Sequence, residues 1–176
     1  MKNSLKQLLE GITKIENIPD IPISGISTSS GDIIPGELYI AIKGNNFDGH
    51  DFIPEAIENG ASAIITEMSY TSKLSIPNIK ISNTRKVLSR LAAEFYGHPT
   101  RKMNIVGITG TNGKTSTASL ITSILRSAGK KTAQIGTLGV IAEGHLKNKG
   151  LTTPDSINLH QNLYKLYNDG FTHIVM

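Results

Sequence analysis

A glycine-rich segment around Lys114 holds the residue types that bind phosphate groups. Residues 103–116 read MNIVGITGTNGKTS, an apolar run rich in β-branched residues followed by glycines, a lysine and hydroxyl side chains. Glycines let main-chain N–H groups surround an anion, and a helix that follows adds the partial positive charge of its N-terminus. Lys114 supplies a cation for the outer phosphates, and the Thr115 hydroxyl is placed to bind Mg²⁺. The segment therefore predicts a nucleotide-phosphate site with a metal ligand at Thr115.

The spacing of this loop departs from the common phosphate-loop pattern, which would require glycine where this chain has Ile108. An ordinary turn between a strand and a helix also uses glycines, for conformational reasons alone. The strand pattern before the loop and the helical pattern after it favour the phosphate site. The helix is predicted to turn one apolar stripe inward, formed by Ala118, Ile121, Leu125 and Ala128 and completed by Leu120 and Ile124.

The elements around the loop divide the chain near His98 and Pro99. Before this break, the patterns predict an N-terminal helix with Leu5, Leu8, Leu9 and Ile12 inward, strands at 37–42, 61–66 and 78–81, and helices at 52–59 and from a Thr84 cap to Gly97. After it, they predict a helix to Ala128 closed by Gly129, a strand at 132–135, a helix at 155–168 and a strand at 171–176. The expected fold class is α/β: a small mixed α/β domain over residues 1–98, then the start of a parallel-sheet P-loop ATPase domain over residues 99–176.

The composition of the chain bears on its partners and its location in the cell. The formal net charge is +4, aromatic residues make up 5%, and the adjacent basic pairs are only Arg101-Lys102 and Lys130-Lys131, so we expect no nucleic-acid surface. No apolar run approaches the roughly 20 residues that cross a bilayer, and the N-terminus lacks the continuous apolar core of a signal peptide. The chain has no cysteine, which excludes disulfides and thiolate metal sites. We expect a cytoplasmic monomer that does not bind membranes.

The loop sequence TGTNGKTS, residues 109–116, closely resembles the ATP loop of the Mur ligases, which join amino acids to a UDP-linked sugar peptide in bacterial wall synthesis. Folylpolyglutamate and cyanophycin synthetases carry relatives of this loop. The resemblance implies ATP and Mg²⁺ as cofactors, with Lys114 as the catalytic residue and Thr115 as the metal ligand. The ATP-binding residues that it implies are Gly110, Thr111, Asn112, Gly113, Lys114, Thr115 and Ser116.

Residues 25–67 resemble the first domain of one Mur ligase class, the MurE type, through PGELYIAIKG at 35–44, DGHDFI at 48–53 and AIENGA at 56–61. The resemblance implies that residues 1–98 recognise the UDP end of the substrate. The family's Asp-Ser-Arg falls on Ser29, Ser30 and Gly31, which keeps the serine and loses both charges. The implied contacts in this half are Thr28, Ser30, Asn45, Asn46 and Phe47. From the residues alone, Ser30 also fits a plain turn, and His50 fits a structural role better than a ligand role.

The segment LTTPDS at 151–156 predicts a helix start, with Thr153 as N-cap, Pro154 at the first helical position and Asp155 in the first turn. The same string, after Gly136-Thr137-Leu138-Gly139, is typical of the MurE type. The resemblance implies that Thr152 and Thr153 hold the substrate's diphosphate or sugar. The two interpretations are compatible, because a helix N-terminus is an anion site.

The reaction that the resemblance implies forms an amide through an acyl phosphate. ATP phosphorylates UDP-N-acetylmuramoyl-L-alanyl-D-glutamate, and the amine of a diamino acid, meso-diaminopimelate or L-lysine, displaces phosphate. Because the chain ends inside a predicted strand, we expect a fragment of a longer protein that is inactive alone. The alternatives are another P-loop ATPase or kinase, or a non-catalytic nucleotide-binding module. The ATPase or kinase would explain the loop but not segments 35–44 and 151–156, and the non-catalytic module becomes attractive if the chain is naturally complete at Met176.

Overall fold

Two sheets of four strands each organise the chain, and the α/β prediction is confirmed. The computed structural model describes residues 4–69, 74–143 and 154–176. The chain divides into two compact units, Met1–Gly97 and His98–Met176. Within the described ranges, no helix is long and apolar enough to span a membrane.

The first unit carries a fully parallel sheet with strand order β1-β2-β3-β4. Its elements are helix α1 (Leu5–Leu9), strands β1 (Ile26–Ser27) and β2 (Leu38–Ile40), a 3₁₀ turn at Gly49–Phe52, helix α2 (Ile53–Glu58), strands β3 (Ala63–Thr66) and β4 (Asn78–Lys80), and helix α3 (Thr84–Phe95). Every residue of β2 and β3 is buried. Strands covered on both faces read as continuous apolar runs, which is why these two were recognisable from sequence.

The second unit has strand order β5-β8-β6-β7. It begins with a 3₁₀ turn at Pro99–Lys102 and continues with β5 (Asn104–Val106), α4 (Lys114–Ser127), β6 (Thr132–Gly136), β7 (Gly139–Ile141), α5 (Ser156–Asn168) and β8 (His173–Val175). Strands β5, β8 and β6 run parallel, and β7 pairs antiparallel with β6. The carboxyl ends of β5, β8 and β6 therefore lie at one edge of the sheet.

The two long helices of this unit cover opposite faces of its sheet. Ala133 and Ile135 of β6 pack with Leu163 and Leu166 of α5 in the buried core. The intervening Gln134 points to the other face, where its Oε1 accepts a hydrogen bond of 3.3 Å from Ser119 of α4. The alternation of side chains along β6 thus assigns each helix to one face.

The predicted apolar stripe of α4 is wrong at three positions. Leu120 and Ile124 are 65% and 67% exposed, whereas Ala118 and Thr122 are buried. Ala128, predicted inward, is exposed and follows the last helical residue. The helix packs on β6 and β8 through a narrower face than its sequence indicates, and that face includes a threonine.

Two predicted helix caps are also wrong. Asn83, not Thr84, caps α3, and its side chain accepts a hydrogen bond from the Lys86 N–H. Thr84 is instead buried in the first turn, where its N–H and hydroxyl both donate to Glu67 Oε1. Asp155, not Thr153, caps α5 and accepts from the Asn158 N–H. In both cases the side chain directly before the first helical residue accepts a hydrogen bond from a free N–H group of the first turn.

Candidate nucleotide site

The loop between β5 and α4 lies at the carboxyl edge of the parallel strands, and the end of β8 holds its first residues. The Met176 N–H donates to the Val106 carbonyl at 2.9 Å, and the Ile108 N–H donates to the Met176 carbonyl at 2.6 Å. This parallel pairing fixes the start of the loop against the sheet. Ligands of open parallel sheets bind at this edge, beyond the carboxyl ends of the strands.

Two glycines give the loop its curvature. Gly110 has a φ of +153° and Gly113 a φ of +78°, and these values strongly favour glycine. Gly113 is the N-cap of α4 and offers no side chain to the helix. The first N–H groups of α4 are therefore not capped by the Gly113 position, and their partial positive charge suits an anion.

Lys114 is the first residue of α4, and its ammonium folds over the loop. Nζ donates to the Gly110 carbonyl, and the Thr111 carbonyl lies 3.4 Å from the same nitrogen. The cation is thereby held at the mouth of the loop rather than extended into solvent.

A polar recess of about 320 Å³ adjoins this lysine; its lining residues are Thr111, Asn112, Gly113, Lys114, Thr115, Ser116 and Thr137. A larger cavity of about 590 Å³ lies beside it, with Gly110, Lys114, Thr115 and Thr137 among its lining residues. Neither lining includes an acidic side chain within the described part of the chain. The sequence-predicted loop residues are thus brought together around an electropositive recess that suits phosphate groups. Their binding of ATP stays a prediction.

Thr115 is suited to one ligand position of a magnesium ion. Thr115 is exposed in the first turn of α4 and lines both cavities. Mg²⁺ in nucleotide sites takes a hydroxyl or one or two carboxylates, with phosphate oxygens and waters completing its shell. No group of three or more His, Asp or Glu residues within the described ranges is arranged to hold a metal alone. The residues present therefore fit a metal that arrives with the nucleotide.

The predicted UDP contacts after β2 lie on a tight loop. The Gly44 N–H donates to the Phe47 carbonyl at 2.9 Å, and Arg85 of α3 donates to the Lys43 carbonyl at 2.9 Å. Asn45 and Asn46 are exposed at its tip, and the Phe47 side chain is 74% exposed. The loop thus presents two amides and an aromatic ring to solvent on a hydrogen-bonded backbone.

Thr28 and Ser30 follow β1, the parallel neighbour of β2, so both predicted segments lie beyond the carboxyl edge of the first sheet. Ser30 is buried, and its hydroxyl donates to Glu55 Oε2 at 2.6 Å. Its carbonyl accepts a hydrogen bond of 3.0 Å from Asn59. These contacts give Ser30 a structural task, and its ligand role stays a prediction. Thr152 and Thr153 lie outside the described residues.

His50 has a structural role. Its Nδ1 lies 2.6 Å from Asp48 Oδ1, and its Nε2 accepts a 3.0 Å hydrogen bond from the Glu67 N–H. The ring is therefore protonated on Nδ1 when neutral. Hydrogen bonds from the His50 main-chain N–H and ring lower the pKa of Asp48 below its ordinary value of 3.8.

Family models match both units of the chain. The model described as "Mur ligase family, catalytic domain" matches residues 22–96, and the model described as "Mur ligase middle domain" matches residues 108–176. The chain belongs to the Mur ligase family. Within that family, the phosphate loop lies at the start of the middle domain and the 43–48 loop lies in the preceding domain.

Individual relatives agree with this assignment. A UDP-N-acetylmuramoyl-L-alanyl-D-glutamate--2,6-diaminopimelate ligase of Aquifex aeolicus is 44% identical over 87% of this chain and 31% of its own length. A solved ligase of the same name matches the fold with a TM-score of 0.78 at 23% identity, over 100% of this chain and 36% of its own. The MurF ligase of Thermotoga maritima, solved in complex with ADP, has a TM-score of 0.56 at 28% identity, over 86% of this chain and 31% of its own. The chain spans about a third of the length of these relatives.

Thr137 was missed as a site residue by sequence reasoning. The sequence pattern marks Thr137 only as part of the segment Gly136–Gly139, yet this residue lines both cavities at Lys114. The signal that identifies it is its position directly after β6, a strand parallel to the one that precedes the phosphate loop. That signal depends on the strand order, which the sequence did not show.

Proposed function

We propose that this chain supplies the ATP-binding and UDP-recognising parts of a cytoplasmic, Mg²⁺-dependent Mur ligase of the MurE type. The observation that best supports this proposal is the electropositive recess around Lys114 and Thr115, which lies in a Mur ligase middle domain. The ligase adds a diamino acid to UDP-N-acetylmuramoyl-L-alanyl-D-glutamate in peptidoglycan synthesis. Diaminopimelate is the amino acid we favour, because the relatives at 36–44% identity carry that name.

The reaction begins with a carboxylate oxygen of the UDP-sugar dipeptide, which bonds to the γ-phosphorus of ATP. The bond from that phosphorus to the β–γ bridging oxygen breaks, and ADP leaves with the electron pair. The amine nitrogen of the diamino acid then bonds to the acyl carbon, phosphate leaves, and the amine releases its proton. Negative charge gathers on the outer phosphate oxygens during the first step, and in this proposal the Lys114 ammonium neutralises that charge. Mg²⁺, when bound through Thr115, supplies further neutralisation of the same oxygens.

The first unit holds the UDP end in this proposal. Asn45 and Asn46 offer amide donors and acceptors that match the hydrogen-bonding edge of uracil, and Phe47 offers a face on which a base can stack. The hydrogen-bonded backbone of the 43–48 loop fixes the main-chain positions from which these side chains project.

Nucleotide binding by the 176-residue chain tests the first half of the proposal. Titration calorimetry with ADP should show binding that Lys114→Ala weakens about tenfold or more, because a charge-assisted hydrogen bond contributes about 1.5–3 kcal/mol. Lys130→Ala, which removes an exposed lysine beyond α4, is the matched control and should bind as the wild type does. Equal binding by the wild type and Lys114→Ala would contradict the assignment of the loop.

A second titration tests the UDP end. With Lys114→Ala as the background, the UDP-N-acetylmuramoyl dipeptide should bind more tightly than ADP, and Asn46→Ala or Phe47→Ala should weaken that binding. Glu58→Ala, an exposed change on α2, is the control. A chain that prefers ADP even in this background would favour the general P-loop ATPase instead.

A further inference from the structure

Thr137 lies at the tip of the hairpin that joins β6 to β7. Gly136 and Gly139 pair across the two strands, which leaves Thr137 and Leu138 as the turn between them. Strand β6 runs parallel to β8, and β8 runs parallel to β5. The turn after β6 and the phosphate loop after β5 therefore project from the same edge of the sheet.

The two cavities at the phosphate loop meet at a shared rim. Within the described ranges, the residues that line both cavities are Lys114, Thr115 and Thr137. The other lining residues of the 320 Å³ recess all belong to the segment 111–116, so Thr137 is the described contribution of a second element. An ammonium and two hydroxyls thus surround the opening from the recess into the larger cavity.

This rim is where the end of a bound triphosphate would lie. A lysine at the start of the helix after a phosphate loop contacts the β- and γ-phosphates, and the following hydroxyl binds the metal between them. Both of these residues are rim residues here. The α- and β-phosphates would then occupy the recess against the loop N–H groups, with the γ-phosphoryl group at the opening.

We propose that the Thr137 hydroxyl donates a hydrogen bond to an oxygen of the γ-phosphoryl group and so helps to position that group for transfer. The inference rests on the proposed ATP-dependent function. In this inference the β6–β7 hairpin contacts the terminal phosphate from the side opposite the phosphate loop. Because ADP lacks this phosphate, the contact contributes to ATP binding and not to ADP binding.

The hairpin is attached to the same helix that begins at the phosphate loop. The Arg126 guanidinium, in the last turn of α4, donates to the Thr132 carbonyl at 3.0 Å and to the Ile141 carbonyl at 3.3 Å. Those carbonyls lie at the ends of β6 and β7 that are farthest from Thr137. The arginine therefore holds both strands against α4, and the position of Thr137 relative to Lys114 is set by bonded elements.

Comparison of ADP with a non-hydrolysable ATP analogue, both with Mg²⁺, tests the contact on the full 176-residue chain. Thr137→Val keeps the shape of the side chain and removes the hydroxyl, so it should weaken binding of the analogue about tenfold and leave ADP binding unchanged. Thr137→Ser should restore binding of the analogue. Thr117→Val, an exposed change on α4 outside both cavity linings, is the matched control and should change neither affinity.

The outcomes separate this inference from the proposed function. Unchanged analogue binding by Thr137→Val, or an equal loss for ADP and the analogue, would overturn the γ-phosphoryl contact while leaving ATP binding intact. A wild-type chain that binds neither nucleotide would overturn the proposed function and this inference with it. Thermal unfolding verifies the fold of each variant, and Thr137→Ala replaces Thr137→Val if the latter does not fold.

Discussion

The ring nitrogen Nε2 of His50 accepts a hydrogen bond from the main-chain N–H of Glu67 at 3.0 Å. The Glu67 side chain in turn accepts hydrogen bonds from the N–H and hydroxyl of Thr84. The 3₁₀ turn before α2, the end of β3 and the start of α3 are thereby joined through polar groups. Such networks stabilise strongly when every member is satisfied, and each member is costly to remove.

Replacing the buried imidazole should destabilise the first unit. His50→Ala removes the partner of the Glu67 N–H and the contact with Asp48, so we expect the free energy of unfolding to fall by about 2–4 kcal/mol. Urea denaturation followed by circular dichroism measures this change. Asp51→Ala, an exposed neighbour, should shift the value by less than about 0.5 kcal/mol. A His50→Ala variant as stable as this control would show that the network contributes little.

The contact between His50 and Asp48 makes the stability of the first unit depend on pH. The pKa of Asp48 is lowered in the folded state by hydrogen bonds from His50, so its ionised form contributes stability that is present above the ordinary pKa of 3.8. That contribution is lost as the pH falls from 3.8 through the lowered value, because the unfolded chain takes up the proton first. Asp48→Asn should therefore lose less stability than the wild type between pH 5 and pH 3. Parallel pH profiles would argue against this role of Asp48.

His160 of α5 should make the second unit sensitive to mild acid. Burial, and next the charge of His98, lower the pKa of His160 below its ordinary value of 6.5. Stability is then fully present above pH 6.5 and falls as the pH drops below it, since the unfolded chain binds the proton more readily. The protection factors of the α5 amides, which are exchange rates corrected for the intrinsic pH effect, should therefore fall between pH 7 and pH 5.5, and His160→Leu should remove this fall. An unchanged pH response in His160→Leu would assign it to other groups.

Thr122 offers a stabilising substitution. It is 4% exposed, and among the described residues its hydroxyl has no hydrogen-bond partner. Thr122→Val keeps the shape and removes an unpaired polar group, so the second unit should gain about 0.5–1.5 kcal/mol in unfolding free energy. Thr117→Val, at an exposed position of the same helix, serves as the comparison and should change stability little. A loss of stability in Thr122→Val would indicate a partner for the hydroxyl.

The sequence predicted those features that depend on neighbouring residues. The phosphate loop is one continuous segment, so its glycines, Lys114 and the following helix could be recognised together. The contacts of Thr137 and Glu67 join distant segments and depend on strand order, which no local pattern records. Periodicity also overestimated what α4 buries, because Leu120 and Ile124 have the right spacing but the sheet contacts a narrower face. Strand β1, of two residues, was too short to leave a pattern, and strand β7 was not predicted.

The Arg126 bonds also have a mechanical consequence. A helix of this length is a rod of about 21 Å at 1.5 Å per residue, with Lys114 at one end and the arginine at the other. The Arg126 end of α4 is hydrogen-bonded to both strands of the hairpin. A displacement of the phosphate loop along the helix axis would therefore also displace β7. The chain has no cysteine, so a single thiol introduced at Ser127 would carry a spectroscopic label at the end of this rod. Nucleotide arrival could then be followed from a position remote from the site itself.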